Sequence, residues 1–298
     1  VNRFCYDVYV PSIQSNVKFY ELINSDYLSM LKFLQNNDDE GLSAFIEYLL
    51  IQLIVDKKHH HQFDRLDKYC ILLTVIMISS GNVLEFTTTC AETKKQYNIE
   101  VVLGEIISAI NDIKISGTEV NVDNNIKIKL SPPRSLRGPF NTPITSITID
   151  SIEQDTTNFT TDQLDDLISV LPYNVFTDLQ QTYKTIHDSC TGVDYFSYIN
   201  PYQPEAQPIK YTFNLFDDSF YQFIKLVLKE DLLNYYKVMY TLTTKFKLDM
   251  SYIQSITPNE TKTYLSLIKQ DIKEIKEGHQ QNQQQQPPTQ PVAPDPAG

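Results

Sequence analysis

Residues 63–90 read FDRLDKYCILLTVIMISSGNVLEFTTTC, and the fold class turns on a change of period inside this stretch. Phe63, Leu66, Cys70, Leu73 and Met77 step by three and four residues, the spacing of one helix face. Gly81 is placed to end that helix, because glycine accepts the left-handed backbone that a C-terminal cap commonly uses. Directly after it, Leu84 and Phe86 alternate with Glu85 and Thr87, the period of two expected of a half-buried strand. A polar connection from Ala91 to Gln96 leads to Tyr97, Ile99 and Val101, which alternate with Asn98 and Glu100. A helix running into an antiparallel hairpin makes this an α+β chain.

Working outward, Tyr27, Leu31 and Leu34 predict a helix, and Asn36-Asn37-Asp38-Asp39 breaks it and can cap the next one. That next helix, about residues 40–55, is apolar over most of its circumference, so it should be nearly surrounded by its own domain or by a partner. Toward the C-terminus the pattern predicts a helix from Leu103 to Ile110 and strands at Ile126 to Leu130 and Ile144 to Ile149. Leu164 to Leu171 and Phe176 to Ile186 form a helical pair jointed at Pro172. A second hairpin is expected from Asp194 to Ile199 and Ile209 to Leu215, then helices carrying Phe220 to Leu228 and Leu232 to Phe246. Thr257-Pro258-Asn259-Glu260 combines an N-cap threonine, a first-turn proline and a capping-box glutamate. The closing helix carries the stripe Tyr264, Leu265, Ile268, Ile272 and Ile275, has Lys269, Lys273 and Lys276 in its later turns, and is expected to stop at Gly278.

The expected architecture is mainly helical, with small antiparallel β-hairpins inserted between helix groups. Its regions are a helical segment 1–81, a β-rich segment 82–159 with an extended arm 131–143, a helical segment 160–278 with the second hairpin, and a Gln/Pro tail 279–298, disordered unless a partner orders it. The recurring order of helices and hairpin suggests a duplicated unit.

Composition narrows the function. The chain has 298 residues, 41% of them hydrophobic, enough for a real core. A net charge of −12 makes nucleic acid an unfavourable partner, since phosphates would be repelled. Eight glycines never approach a phosphate-cradling pattern, and the most apolar runs fall well short of the ~20 residues needed to span a bilayer. Cys5, Cys70, Cys90 and Cys190 are widely spaced without a metal-binding pattern, which reads as reduced thiols in a cytoplasmic setting. No cofactor is expected.

The spacing of the chemically active residues does not assemble a catalytic set. His59-His60-His61 point in different directions from a charged run, and His187 with Cys190 lacks an orienting group or an oxyanion donor. The expectation is a protein without enzymatic activity. The feature that stands out is the arm, with Pro132, Pro133, Pro139 and Pro143 around Arg134, Arg137 and Phe140. It is longer than most loops, and such loops are commonly kept for binding. Pro133, Arg134, Arg137 and Phe140 are therefore candidate partner contacts, the arginines pairing with acidic groups of a neighbour or of this chain. The 19 tyrosines fit a mixture of core and half-buried interface.

Two stretches carry a resemblance. Tyr69-Cys70-Ile71-Leu72-Leu73 through Ser80-Gly81-Asn82-Val83 to Cys90, and Leu242-Thr243-Thr244-Lys245-Phe246 through Thr257-Pro258-Asn259-Glu260, resemble the baseplate hub proteins of T4-like contractile-tailed phages. Relatives carry more cysteines near the hairpin, whereas Ala91 to Tyr97 supplies none, so Cys90 is expected as a lone thiol without a zinc role. The resemblance implies a structural, non-catalytic virion protein of the tail baseplate, built in the host cytoplasm within a multi-subunit assembly. Its partners would be other phage tail and baseplate proteins; the alternative it implies is a transient assembly chaperone for the hub.

Overall fold

The computed structural model describes residues 3–58, 63–115, 118–137, 144–156, 159–191, 193–214, 217–228 and 232–284. The chain opens with a hairpin that the sequence reading did not anticipate, β1 (Cys5–Val10) paired antiparallel with β2 (Ser15–Tyr20). Val8, Val10, Val17 and Phe19 face inward, and Gln14, at φ 47°, closes the turn with its N–H donating to the Pro11 carbonyl. Helix α1 (Asn24–Gln35) follows, then α2 (Asp39–Leu53), whose N-cap Asp38 accepts from the Gly41 N–H as expected. Ile54 bridges back to Phe19, so the end of α2 is tied to the first hairpin.

The central element is α3 (Arg65–Ser80). Asp64 and Asp67 complete a capping box at its start, Gly81 caps its end at φ 110°, and it is buried on almost every side. It is α3 that is surrounded, more than α2. Helix α2 buries Leu42, Ile46, Leu49, Leu50 and Leu53 but leaves Tyr48 and Ile51 exposed. Beyond Gly81 comes the expected hairpin, β3 (Val83–Thr89) with β4 (Gln96–Val102), followed at once by α4 (Leu103–Asn111).

A four-stranded antiparallel meander comes next: β5 (Glu119–Asn121), β6 (Ile126–Leu130), β7 (Ile144–Ile149) and β8 (Ile152–Asp155). Ile128, Leu130, Ile144 and Ile147 line its buried side. Helices α5 (Thr161–Ser169) and α6 (Tyr173–Cys190) break at Pro172, and β9 (Val193–Tyr198) pairs with β10 (Ile209–Phe213). Helices α7 (Ser219–Val227), α8 (Leu232–Thr244), α9 (Met250–Ser255) and α10 (Pro258–Gln284) complete the fold. The architecture is α+β, with small antiparallel sheets set between helices, and the order helix, helix, hairpin, helix occurs twice, as α2-α3-β3-β4-α4 and α5-α6-β9-β10-α7.

One expected boundary is overturned: α10 continues through Gly278 to Gln284. A single interior glycine costs a helix about 1 kcal/mol, which the surrounding Lys, Glu and Gln helix formers absorb. Residues 285–298 of the tail and the His59 to His61 run lie outside the described residues.

The N- and C-terminal thirds are joined at Asn24. Its side-chain amide donates to the Ile253 carbonyl and to Thr261 Oγ1, each at 2.7 Å, while its own carbonyl accepts from the Tyr235 hydroxyl at 3.1 Å. The residue is buried, and α1, α8, α9 and α10 meet around it.

Candidate functional site

The arm leaves β6 at Ser131, and its first half turns inward onto α3. Pro132, Pro133 and Leu136 are buried. The Arg65 N–H donates to the Pro133 carbonyl and Arg65 Nε to the Ser135 carbonyl, both at 2.6 Å. Lys68 Nζ and the Tyr69 hydroxyl reach the carbonyls of Arg134 and Leu136. The Leu136 N–H in turn donates to Glu47 on α2 at 2.8 Å, and Glu47 also holds Lys68. These contacts answer a physical requirement. A non-repetitive segment in a protein interior has no ladder to satisfy its carbonyls, so donors on the neighbouring helix must do so. Burial pushes the Tyr69 phenol up and the fully buried Arg65 guanidinium down from their ordinary values, yet both keep their usual protonation at neutral pH and so remain donors.

The arm's arginines point to acids of this chain. Arg134 pairs with Asp155 on β8 at 3.1 Å. Arg137 Nε pairs with Asp218 at 3.1 Å, and its guanidinium lies over the Tyr221 ring at 5.6 Å. Asp39 sits on the other side of that cluster, held by Lys225 at 2.8 Å, and its backbone carbonyl accepts from the Tyr221 hydroxyl. Of the candidate contact residues, then, Pro133 is buried, Arg134 and Arg137 are half-buried and paired within the chain, and Phe140 lies outside the described residues. The first half of the arm works as an internal strap between the meander, α2, α3 and α7. The sequence did not mark Glu47, Asp39, Asp155 and Asp218 as partners of the arm. They lie far apart along the chain, and no local spacing joins them to residues 131–137.

A second cluster joins the β3–β4 and β9–β10 hairpins. Tyr97 on β4 and Tyr198 on β9 approach with ring centroids 6.0 Å apart, Tyr211 stacks on Tyr198 at 6.0 Å, and Tyr202 meets Tyr97 edge-on at 6.1 Å. Lys95 Nζ lies 5.4 Å from the centre of the Tyr202 ring. Cys90 is buried at this junction as a free thiol and accepts from the Asn200 amide at 3.2 Å.

None of these arrangements provides a nucleophile with its base. Cys190 is buried, and desolvation pushes its thiol up to about 12, while His187 faces Asp188 at 3.4 Å. Asp64 and Asp67 are both pushed up, chiefly by burial, and Asp64 further by the Asp67 charge, but their oxygens are committed to the α3 cap and to Ser12. Among the described residues no group of three or more His, Cys, Asp or Glu side chains is placed to hold a metal, and no helix is long and apolar enough to cross a membrane.

The surface offers apolar side chains on several elements. Val170 and Tyr173, at the α5–α6 joint, are 77% and 84% exposed. Phe4 on the N-terminal segment and Leu233, Tyr236 and Tyr240 on α8 are also exposed.

The family model described as T4 bacteriophage base plate protein matches residues 4–195, more than half of the chain, from the first hairpin to the start of β9. No curated protein and no solved structure matched.

Proposed function

Because the chain belongs to the T4 bacteriophage base plate protein family, a family of phage tail structural proteins, we propose that it is a subunit of the contractile tail at or beside the baseplate hub. It acts through shape-complementary contacts with other tail proteins. The observation that carries this reading is the family match over residues 4–195, which takes in the arm and the meander. The strap supports it: polar groups that would recognise a ligand are spent on internal acceptors, while apolar side chains such as Tyr173 stay outside. Assembly in the host cytoplasm belongs to the same proposal.

Quantitative mass spectrometry of purified tails tests it. The expected result is a fixed, integral ratio of this chain to other baseplate proteins. Its presence only in assembly intermediates would instead assign it the role of a transient hub chaperone. Removing residues 279–298 should leave the body folded and lower incorporation into tails.

A further inference from the structure

We propose that the outer half of α10 is a docking ledge for an α-helix of another tail subunit, one whose apolar stripe is flanked by carboxylates. The inference rests on the reading of this chain as an assembly subunit. Helix α10 has 27 residues, about 40 Å of helix at 1.5 Å per residue, and the described side chains that the body covers lie toward its start. Thr261 is buried, and Leu265 and Ile268 pack against the core. The next positions in the same alternating four-three spacing, Ile272 and Ile275, are 44% and 59% exposed. The face that the body covers at the start of the helix therefore runs out from under it. An amphipathic helix with its apolar stripe in water has an unmade contact.

The charges beside the stripe select the occupant. At 100° per residue, Lys262, Lys269 and Lys273 fall along one edge of the stripe, and the sequence continues that column with Lys276. Asp271 and Glu274 fall toward the other edge. On a chain of net charge −12, such a lysine column is a local inversion of sign. A second copy fits poorly. Antiparallel pairing would set lysine column against lysine column, and parallel pairing would crowd the bodies, which lie on the stripe side of each helix, into the same space. An anionic lipid surface would meet the net negative charge and very few apolar anchors. A helix with Asp or Glu opposite the lysines and aliphatic residues opposite Ile272 and Ile275 satisfies both features.

The test uses the full chain and three probes: a four-heptad amphipathic peptide with Glu at its flanking positions, the same peptide with Lys there, and vesicles of phosphatidylcholine with phosphatidylglycerol. The expected result is binding of the Glu peptide, about tenfold or more weaker for the Lys peptide and at least as much weaker for the Ile272→Asp/Ile275→Asp and Lys269→Glu/Lys273→Glu variants. These side chains are exposed, so the variants should melt as the wild type does; if the isoleucine pair does not, the lysine pair carries the test. Equal binding of both peptides, no binding of either, vesicle binding, or a wild-type oligomer lost on Ile272→Asp would each overturn the inference. Incorporation separates the two levels. Variants that enter tails like the wild type sink the docking ledge and leave the assembly role intact, whereas a wild-type chain absent from tails and dispensable for them sinks the role itself.

Discussion

Replacing Asn24 with alanine tests whether the N-terminal and C-terminal thirds form one cooperative unit. The substitution removes two hydrogen bonds of 2.7 Å, to the Ile253 carbonyl and Thr261 Oγ1, at a buried site. Thr261 keeps a second partner, its hydroxyl donating to the Thr257 carbonyl, so the group left worst off is the Ile253 carbonyl. A lost net hydrogen bond is worth about 0.5–1.5 kcal/mol and an orphaned buried polar group costs about 1–3 kcal/mol, so the variant should lose roughly 2–4 kcal/mol. Asn24→Asp should lose more, because it sets a carboxylate against a carbonyl oxygen. The assay is urea unfolding followed by both far-UV circular dichroism and tyrosine fluorescence, with hydrogen exchange of α1, α9 and α10. The expected outcome is coincident transitions, an unchanged m-value, and protection falling together in all three helices. A loss below about 0.5 kcal/mol, or a separate early transition confined to α9 and α10, would refute the argument that Asn24 joins these elements.

Three other outcomes follow from the packing and titration of the chain. Leu136→Ala, which empties a buried site under the strap, should destabilise by about 2–5 kcal/mol in denaturant melts, whereas Arg134→Ala, half-exposed with its Asp155 pair, should cost no more than about 1 kcal/mol. The Asp64 and Asp67 carboxyls are raised in the folded state, so their contribution is fully present below the ordinary carboxylate range and is lost as pH rises through the folded values. Asp64→Asn keeps the capping oxygen but removes one titration, and its stability relative to wild type should therefore improve as pH rises from the ordinary carboxylate range through the raised folded titration. Thr257→Ala removes the hydroxyl that accepts from the Glu260 N–H at 3.1 Å, and should lower the melting temperature by an amount matching about 1 kcal/mol.

Local signals were legible, and long-range pairings were not. The period change at Gly81 located α3 and the β3–β4 hairpin because cap and alternation are both properties of adjacent residues. The capping box at Thr257 and Glu260 is likewise complete within four residues, and the structure forms both of its bonds. The first hairpin was missed because each strand buries only two alternating side chains, Val8 with Val10 and Val17 with Phe19. Asp249, which caps α9, heads a helix too short to show a period. The arm is the more instructive case. Its prolines and arginines marked it as unusual, but whether it faces a neighbour or its own body depends on where Glu47, Asp39, Asp155 and Asp218 come to lie.

That inward turn bears on how an acidic chain can assemble. With 25 basic residues against 37 acidic ones, positive charge is the scarcer resource. Arg65, Lys68, Arg134, Arg137 and Lys225 all spend theirs on acceptors of the same chain, which holds the strap but leaves those cations half-buried or buried. Interactions of this kind are weakly screened, so the fold itself should tolerate added salt. Lys269 and Lys273 lie exposed at the edge of an exposed apolar stripe. Attraction exerted there is open to solvent ions and should weaken as ionic strength rises. Folding and assembly are thereby separable in one titration: between low and moderately high salt, the melting curve of the isolated chain should hold still while its incorporation into tails declines. If both moved together, Lys269 and Lys273 would be contributing to the body rather than to a neighbour.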